Sequence, residues 1–153
     1  MKPLYVWMMV CGITFFAACS KDKDTPLLRQ QQYELKPWGN SGISGTAFVS
    51  ENLDSSFNIT VVLNTSVRDT IHVMSVVNGT EASQGNVAFK LADIKGTGGS
   101  VVGETRNIGQ FIQATGSTKM LSYDEILKYA AFIKVSYSRN RQDSLICTGK
   151  IGL

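Results

Sequence analysis

The residues best suited to chemistry in this sequence are its single histidine, His72, and a cysteine near its end, Cys147. His72 lies in an apolar stretch, residues 70–77, and could act as a general base or metal ligand only beside carboxylate or thiol partners. The nearest acid, Asp69, falls in a turn. We therefore interpret His72 as a partly exposed strand residue that is hydrogen-bonded to a neighbour. We predict no catalytic residue, metal ligand or cofactor.

Cys147 alternates along the chain with Leu145, Gly149 and Ile151. In a strand, this period of two places all four residues on one face, which we expect to be the core face. Nothing in the surrounding sequence would lower the pKa of the thiol. The pattern indicates a buried small hydrophobe and not a nucleophile.

Two further groups have a chemical and a structural interpretation. Asp124 and Glu125 could be the acid pair of a glycoside hydrolase, but adjacent helical side chains diverge. Ser122 and Glu125 have the spacing of a capping box, which predicts a short helix over residues 122–129. The glycine-rich residues 96–99 lack the Lys-Ser/Thr and the following helix of a phosphate-binding loop, so we predict a hairpin tip.

The N-terminus combines Lys2, an apolar run over residues 4–18, and the sequence Phe-Ala-Ala-Cys-Ser at residues 16–20. It resembles the lipobox of bacterial lipoproteins, in which the cysteine is acylated and becomes the mature N-terminus. The run is shorter than the roughly 20 residues that span a membrane. We expect a signal peptide over residues 1–18 and lipid attached to Cys19; the alternative is an uncleaved anchor helix. Ser20 resembles the outer-membrane sorting pattern, which implies anchoring at the periplasmic face or the cell surface.

Residues 19–38 are predominantly polar and charged, which predicts a lipidated cysteine followed by a flexible tether that ends before Gly39.

Loss of Lys2 with the signal peptide leaves 14 basic against 12 acidic residues. This small, dispersed excess of positive charge argues against a nucleic-acid partner. Cys147 would be the only free thiol of the mature domain, so no intramolecular disulfide is expected.

From residue 39 to residue 153 the sequence predicts short strands separated by turn residues. In residues 57–63, for example, Phe57, Ile59, Val61 and Leu63 alternate with less apolar residues and should face inward. About eight such strands, with one short helix before the last two, predict an all-β fold. We expect an antiparallel β-sandwich or a flattened barrel, since many one-sided strands can be buried only face to face.

The C-terminal half has a recognisable order of motifs. Leu-Ser-Tyr-Asp-Glu-Ile-Leu-Lys-Tyr at residues 121–129 precedes a strand at residues 132–137 and the ending Cys-Thr-Gly-Lys-Ile-Gly at residues 147–152. With residues 41–47, these segments resemble the CHRD domain, named after chordin. Family members often carry a His-x-His pair in the third strand. Here only His72 matches, and one histidine cannot chelate a metal alone.

These observations leave three functional hypotheses. The first is a non-catalytic, lipid-anchored binding or assembly module of the bacterial cell envelope, with contacts on loops 80–86 and 95–99. The second is a glycan-binding surface lipoprotein, for which Tyr33, Trp38 and Tyr137 could form a platform or simply cover the domain edge. The third is a metal-dependent β-sandwich enzyme of the superoxide-dismutase type. The expected partners are thus membrane lipid, through the acylated Cys19, and an envelope protein or glycan.

Overall fold

A computed structural model describes residues 27–153, so the predicted signal peptide, Cys19 and the first part of the tether lie outside the described residues. The described chain forms β-strands and one short helix, in the order β1 (Gln30–Pro37), β2 (Gly45–Glu51), β3 (Phe57–Leu63), β4 (Ile71–Gly79), β5 (Gln84–Lys90), β6 (Ile94–Lys95), β7 (Val101–Ile108), β8 (Gln110–Ile112), β9 (Thr118–Met120), α1 (Tyr123–Ile126), β10 (Ala131–Ser138) and β11 (Arg141–Ile151).

Eight strands form one antiparallel sheet in the order β5-β4-β10-β11-β1-β2-β3-β7. The short strand β6 also pairs with β4, while β8 and β9 form a separate hairpin. The sheet curls so that its two halves face each other across the core, where Phe57 on β3 packs edge-on against Phe89 on β5 at 6.3 Å between ring centroids. The fold is therefore an all-β curled half-barrel with a short helix before the last two strands, which confirms the predicted fold class.

The core lies on the concave side of this sheet. Phe57, Ile59, Val61 and Leu63 of β3 are all fully buried there, as their alternation predicts. The same period of two directs Met74 and Val76 of β4, and Ala131, Ile133 and Val135 of β10, into the core. Each strand therefore leaves its other face to form the convex outer surface of the sheet.

The curl of the sheet brings β7 close to β6. A Cβ atom added to Gly103 of β7 would lie only 2.5 Å from Cγ1 of Ile94 on β6. The backbone N–H of Ala92 donates to the Thr105 hydroxyl across the same junction at 2.7 Å. Glycine is required at residue 103 because the approach leaves no room for a side chain.

Strand β1 corrects the predicted end of the tether. Residues 30–37 belong to the sheet, pair with β2 over six residues, and also pair with β11 at Lys36 and Pro37. Leu35 is fully buried. The three glutamines at residues 30–32 give this strand no apolar alternation that the sequence could reveal. The strand is stabilised mainly by backbone hydrogen bonds to β2 and β11 on its two sides.

Helix α1 begins with the capping box that the sequence indicates. The backbone N–H of Ser122 donates to Oε2 of Glu125 at 2.8 Å, and the N–H of Glu125 donates to the Ser122 hydroxyl at 3.3 Å. The helix is shorter than expected, because the N–H groups of Lys128 and Tyr129 bond three residues back, a tighter turn that ends it. Within residues 27–153, no helix has the length and apolar character to cross a membrane.

Candidate functional site

His72 is fully buried, which corrects the expectation of a partly exposed residue. It shares the inward face of β4 with Met74 and Val76, so the alternation of the strand directs its ring into the protein. Its Nδ1 lies 2.8 Å from the backbone oxygen of Tyr137, and the backbone N–H of Val67 donates to its Nε2 at 3.2 Å.

These two contacts define the tautomer of the ring. A backbone N–H can only donate and a carbonyl can only accept, so Nε2 of His72 is unprotonated and Nδ1 carries the proton. Both nitrogens are engaged by backbone, which leaves neither of them to a substrate or a metal ion. Within residues 27–153, no group of three or more His, Cys, Asp or Glu side chains is arranged to hold a metal. The hydrogen bonds of His72 therefore connect β4 to the preceding loop and to β10.

Cys147 lies on the core face of β11 and is fully buried. Burial raises the pKa of its thiol from 9.0 to about 12. A thiol with so high a pKa is almost entirely protonated near neutral pH, so it is a poor nucleophile as well as an inaccessible one.

The neighbouring acids Asp124 and Glu125 point to different partners. Nη1 of Arg29 donates to Asp124 at 2.7 Å, and this hydrogen bond lowers the pKa of the Asp124 carboxyl. Hydrogen bonds from the backbone N–H and the hydroxyl of Ser122 lower the pKa of Glu125. A general acid for glycoside cleavage needs a raised pKa, so neither carboxyl suits that role.

A groove of about 540 Å³ lies on the convex face of the sheet, and we call it the outer groove. It crosses the ends of β1, β11, β10 and β4 and is closed at one side by the loop after β4. Its lining comprises Glu34, Lys36, Gly79, Thr80, Glu81, Ala82, Ala130, Phe132, Thr148, Gly149, Lys150 and Leu153.

Strand alternation explains the character of the outer groove. Burial of Leu35 in the core turns Glu34 and Lys36 outward on β1, and burial of Cys147 turns Thr148 and Lys150 outward on β11. Phe132, which pairs with Lys150, is only 1% exposed although it lies outside the core cluster. It forms an apolar floor beneath a rim that carries two lysines and two acids.

A second feature of the same face is what we call the lysine row: Lys36, Thr148, Lys134, Ser75 and Lys90. The pairing registers place these residues directly opposite one another on β1, β11, β10, β4 and β5. The ion pairs of the described residues do not involve any of the three lysines. Sequence reasoning missed this row because it depends on pairing between distant strands; the only local signal was that each lysine alternates with core residues.

The three aromatic residues considered as a platform make no ring contacts with one another in the described part of the chain. Tyr33 and Trp38 are five residues apart, which is about 16 Å along an extended chain. Tyr33 packs partly against the core, whereas Trp38 is 40% exposed. Tyr137 packs edge-on against His72 and lies under the Arg141 guanidinium at 4.8 Å. These positions favour the interpretation that the aromatics cover the domain edge.

The two predicted contact loops differ in environment. Residues 80–82 line the outer groove, while residues 84–86 belong to β5. The glycine-rich loop is instead held against residues 66–70: the N–H of Gly96 donates to the Thr70 oxygen at 2.7 Å, and that of Thr97 donates to the Ser66 hydroxyl at 3.0 Å. The first loop is therefore the one placed beside a cavity.

Comparison of the chain with known protein families, with curated proteins and with solved structures finds no match. The fold and the outer groove thus define an all-β protein with a concave site on its convex sheet face. What the outer groove binds must be inferred from its own residues.

Proposed function

We propose that this protein is a non-catalytic, lipid-anchored binding module of the bacterial cell envelope with a CHRD-like domain, and that the outer groove is its binding site. The observation that carries the proposal is the contrast between the outer groove and the reactive residues. His72, Cys147, Asp124 and Glu125 are each engaged in structural contacts. The outer groove, in contrast, presents charged side chains to solvent around an apolar floor.

The dimensions and lining of the outer groove support a binding role. Its volume of about 540 Å³ falls within the range typical of ligand pockets, which combine an apolar lining with a few polar groups that orient the ligand. Here Ala130 and Leu153 supply exposed apolar surface above the buried ring of Phe132, and Glu34, Lys36 and Lys150 supply charge. The lining residues come mostly from paired strands, so the site is largely preformed.

The proposed anchor would keep this site close to a membrane. Acylation of Cys19 would insert several chains into the bilayer, and more than one chain is needed for stable anchoring. Strand β1 begins at Gln30, so the tether between the anchor and the sheet has ten residues, which reach at most about 35 Å when extended. Partners would be envelope components within that distance of the outer membrane.

Lipid attachment can be tested by growing cells with an alkyne-labelled fatty acid and detecting the label on the purified chain. The proposal expects labelling of the unaltered chain and of a Cys147→Ala variant, which removes the buried thiol. A Cys19→Ala variant should carry no label. Equal labelling of the Cys19→Ala variant would contradict anchoring at this residue.

Ligand binding at the outer groove can be tested by photo-crosslinking in intact cells. A photoreactive amino acid would replace Glu81, at the rim of the outer groove, or Val102, which is 61% exposed on β7 in the other half of the sheet. The proposal expects one discrete adduct from residue 81 that is lost in the Cys19→Ala background, and none from residue 102. Equal adducts from both positions, or none from residue 81, would count against the site.

Glycan binding is the second candidate function, and the lysine row is the observation that favours it. The row continues beyond the outer groove through Lys134, Ser75 and Lys90, which suits an extended ligand better than a compact one. A metal-dependent enzyme has less support, since both ring nitrogens of the chain's only histidine are occupied by backbone groups.

A further inference from the structure

The residues of the lysine row line two depressions on the convex face of the sheet. Lys36 and Thr148 line the outer groove, while Lys134, Ser75 and Lys90 line a second depression of about 120 Å³ on the same face. Thr148 and Lys134 are direct partners across β11 and β10, so the two depressions adjoin. We call the two adjoining depressions the channel; their lining residues come from five strands.

The charges in this channel are regularly spaced. The lysines occupy alternate strands, and neighbouring strands lie about 4.8 Å apart, so successive lysines are separated by about 10 Å at their backbones. Between them lie Ser75, which is partly exposed, and Thr148, whose buried hydroxyl donates to the backbone oxygen of Ile133 at 2.9 Å. Beside the row, Phe132, Val77 and Val87 lie opposite one another on β10, β4 and β5, and of these three only Val87 is exposed.

The channel is predominantly positive. The acids that line it, Glu34 and Glu81, are both at the outer groove, and no acid lines the second depression. Lys150 adds a further positive charge next to Phe132. A ligand that follows the row would thus meet three cations at even intervals, none of which takes part in an ion pair among residues 27–153.

We propose that the lysine row binds a linear acidic polysaccharide that runs across the strands, with carboxylates of every second sugar unit beside Lys36, Lys134 and Lys90. The carboxylates of such a chain would pair with the lysines, while its sugar rings would lie against the exposed side chain of Val87 and the apolar lining of the outer groove. A membrane surface fits less well, because Lys134 is half-buried within the channel. This inference rests on the proposed function and gives it a ligand class.

The test is a titration of the full chain, purified in neutral detergent, with a linear oligogalacturonate and with a neutral maltodextrin of the same length. The test variant carries Lys36→Gln, Lys90→Gln and Lys134→Gln. Exposed ion pairs are worth roughly 1.4-fold to fivefold in affinity each, so we expect the triple variant to bind oligogalacturonate about threefold to about a hundredfold more weakly. We also expect the unaltered chain to show little binding of maltodextrin and to lose affinity as salt is raised.

The matched control removes the same charge elsewhere, through Arg106→Gln, Lys119→Gln and Lys128→Gln. These exposed residues lie on β7, on β9 and after α1, away from the channel. The control should bind within about twofold of the unaltered chain. Thermal unfolding of both variants checks that each one remains folded, which is expected because all six side chains reach solvent.

Three results would overturn the inference. Equal loss of affinity in both triple variants would show that net charge, not the lysine row, attracts the ligand. Equal binding of maltodextrin would show that charge is not recognised. Binding to phosphatidylglycerol vesicles through the lysine row, without binding to oligogalacturonate, would assign the face to the membrane. If any of these results is obtained and residue 81 still gives a discrete photo-adduct, the outer groove remains a binding site. In that case only the acidic polysaccharide is rejected as its ligand.

Discussion

Raising the pH from about 7 to about 10 should destabilise the folded protein through the buried thiol of Cys147. In the native state burial raises the pKa of this thiol from 9.0 to about 12. The unfolded chain exposes the thiol to water, where it loses its proton at the ordinary pKa. Between these two values the unfolded state therefore binds fewer protons than the native state, and stability falls as the pH rises.

The expected magnitude follows from the two pKa values. Each pKa unit corresponds to 1.36 kcal/mol, so the full contribution of Cys147 is about 4 kcal/mol, present below pH 9 and lost as the pH approaches about 12. At about pH 10 the loss amounts to about 1.4 kcal/mol, because only the unfolded thiol has begun to ionise. This is a large fraction of the stability of an ordinary domain.

The assay is urea unfolding of the unaltered chain and of a Cys147→Ala variant, under reducing conditions, at both pH values. The substitution removes the ionisable group at the cost of a packing defect that does not depend on pH. Burial also raises the pKa values of Tyr33 and Tyr123, but these residues are present in both proteins and cancel in the comparison. The unaltered chain should be the more stable one at about pH 7, and its advantage should shrink by about 1.4 kcal/mol at about pH 10.

A stability difference between the two proteins that stays constant over this pH range would refute the reasoning. It would mean that the native thiol ionises as readily as the unfolded one, and that Cys147 is accessible to water. Rapid alkylation of Cys147 by iodoacetamide in the folded chain, located by peptide mass spectrometry, would lead to the same conclusion.

Three further substitutions, one of them with a matched control, test the fold around the site by urea unfolding. Gly103→Ala should lower the free energy of unfolding by about 1–3 kcal/mol, because the added methyl group would overlap Ile94. Gly109→Ala is the control and should be nearly neutral, since no atom lies within 4 Å of a Cβ atom added there. Equal effects of the two substitutions would contradict the close approach at Gly103. His72→Leu should lower the free energy of unfolding by about 2 kcal/mol or more, since two backbone groups lose their hydrogen-bond partner. A neutral result would show that these two groups form other hydrogen bonds. Ser122→Ala should cost about 1 kcal/mol through the lost cap, and no loss would show that the cap does not stabilise the helix.

Some parts of this structure follow from local sequence alone. The alternation of Phe57, Ile59, Val61 and Leu63 predicts both a strand and its buried face, because the two faces of a strand alternate whatever it packs against. The spacing of Ser122 and Glu125 similarly predicts a capped helix, since the hydrogen bonds of a capping box close within four residues. The antiparallel all-β class could be predicted because it is the sum of many such local patterns.

Other features depend on which strands become neighbours. The polar sequence of β1 concealed a strand that joins the two halves of the sheet, because its stability comes from backbone pairing with β2 and β11. His72 is buried because both of its nitrogens find backbone partners, at Val67 and Tyr137, and the second is distant in sequence. Only tertiary contacts can satisfy a buried polar group in this way.

The sequence by itself determined that residues 39–153 would form one-sided antiparallel strands with one short capped helix before the last two, since side-chain period and capping are properties of a few consecutive residues. Tertiary structure decided the outer groove and the lysine row. Lys36, Lys90 and Lys134 are far apart in the chain, and they are aligned by the pairing of β1, β11, β10, β4 and β5. The physical reason is that strand register sets which outward side chains become neighbours, and register is settled only when the whole sheet packs around its core.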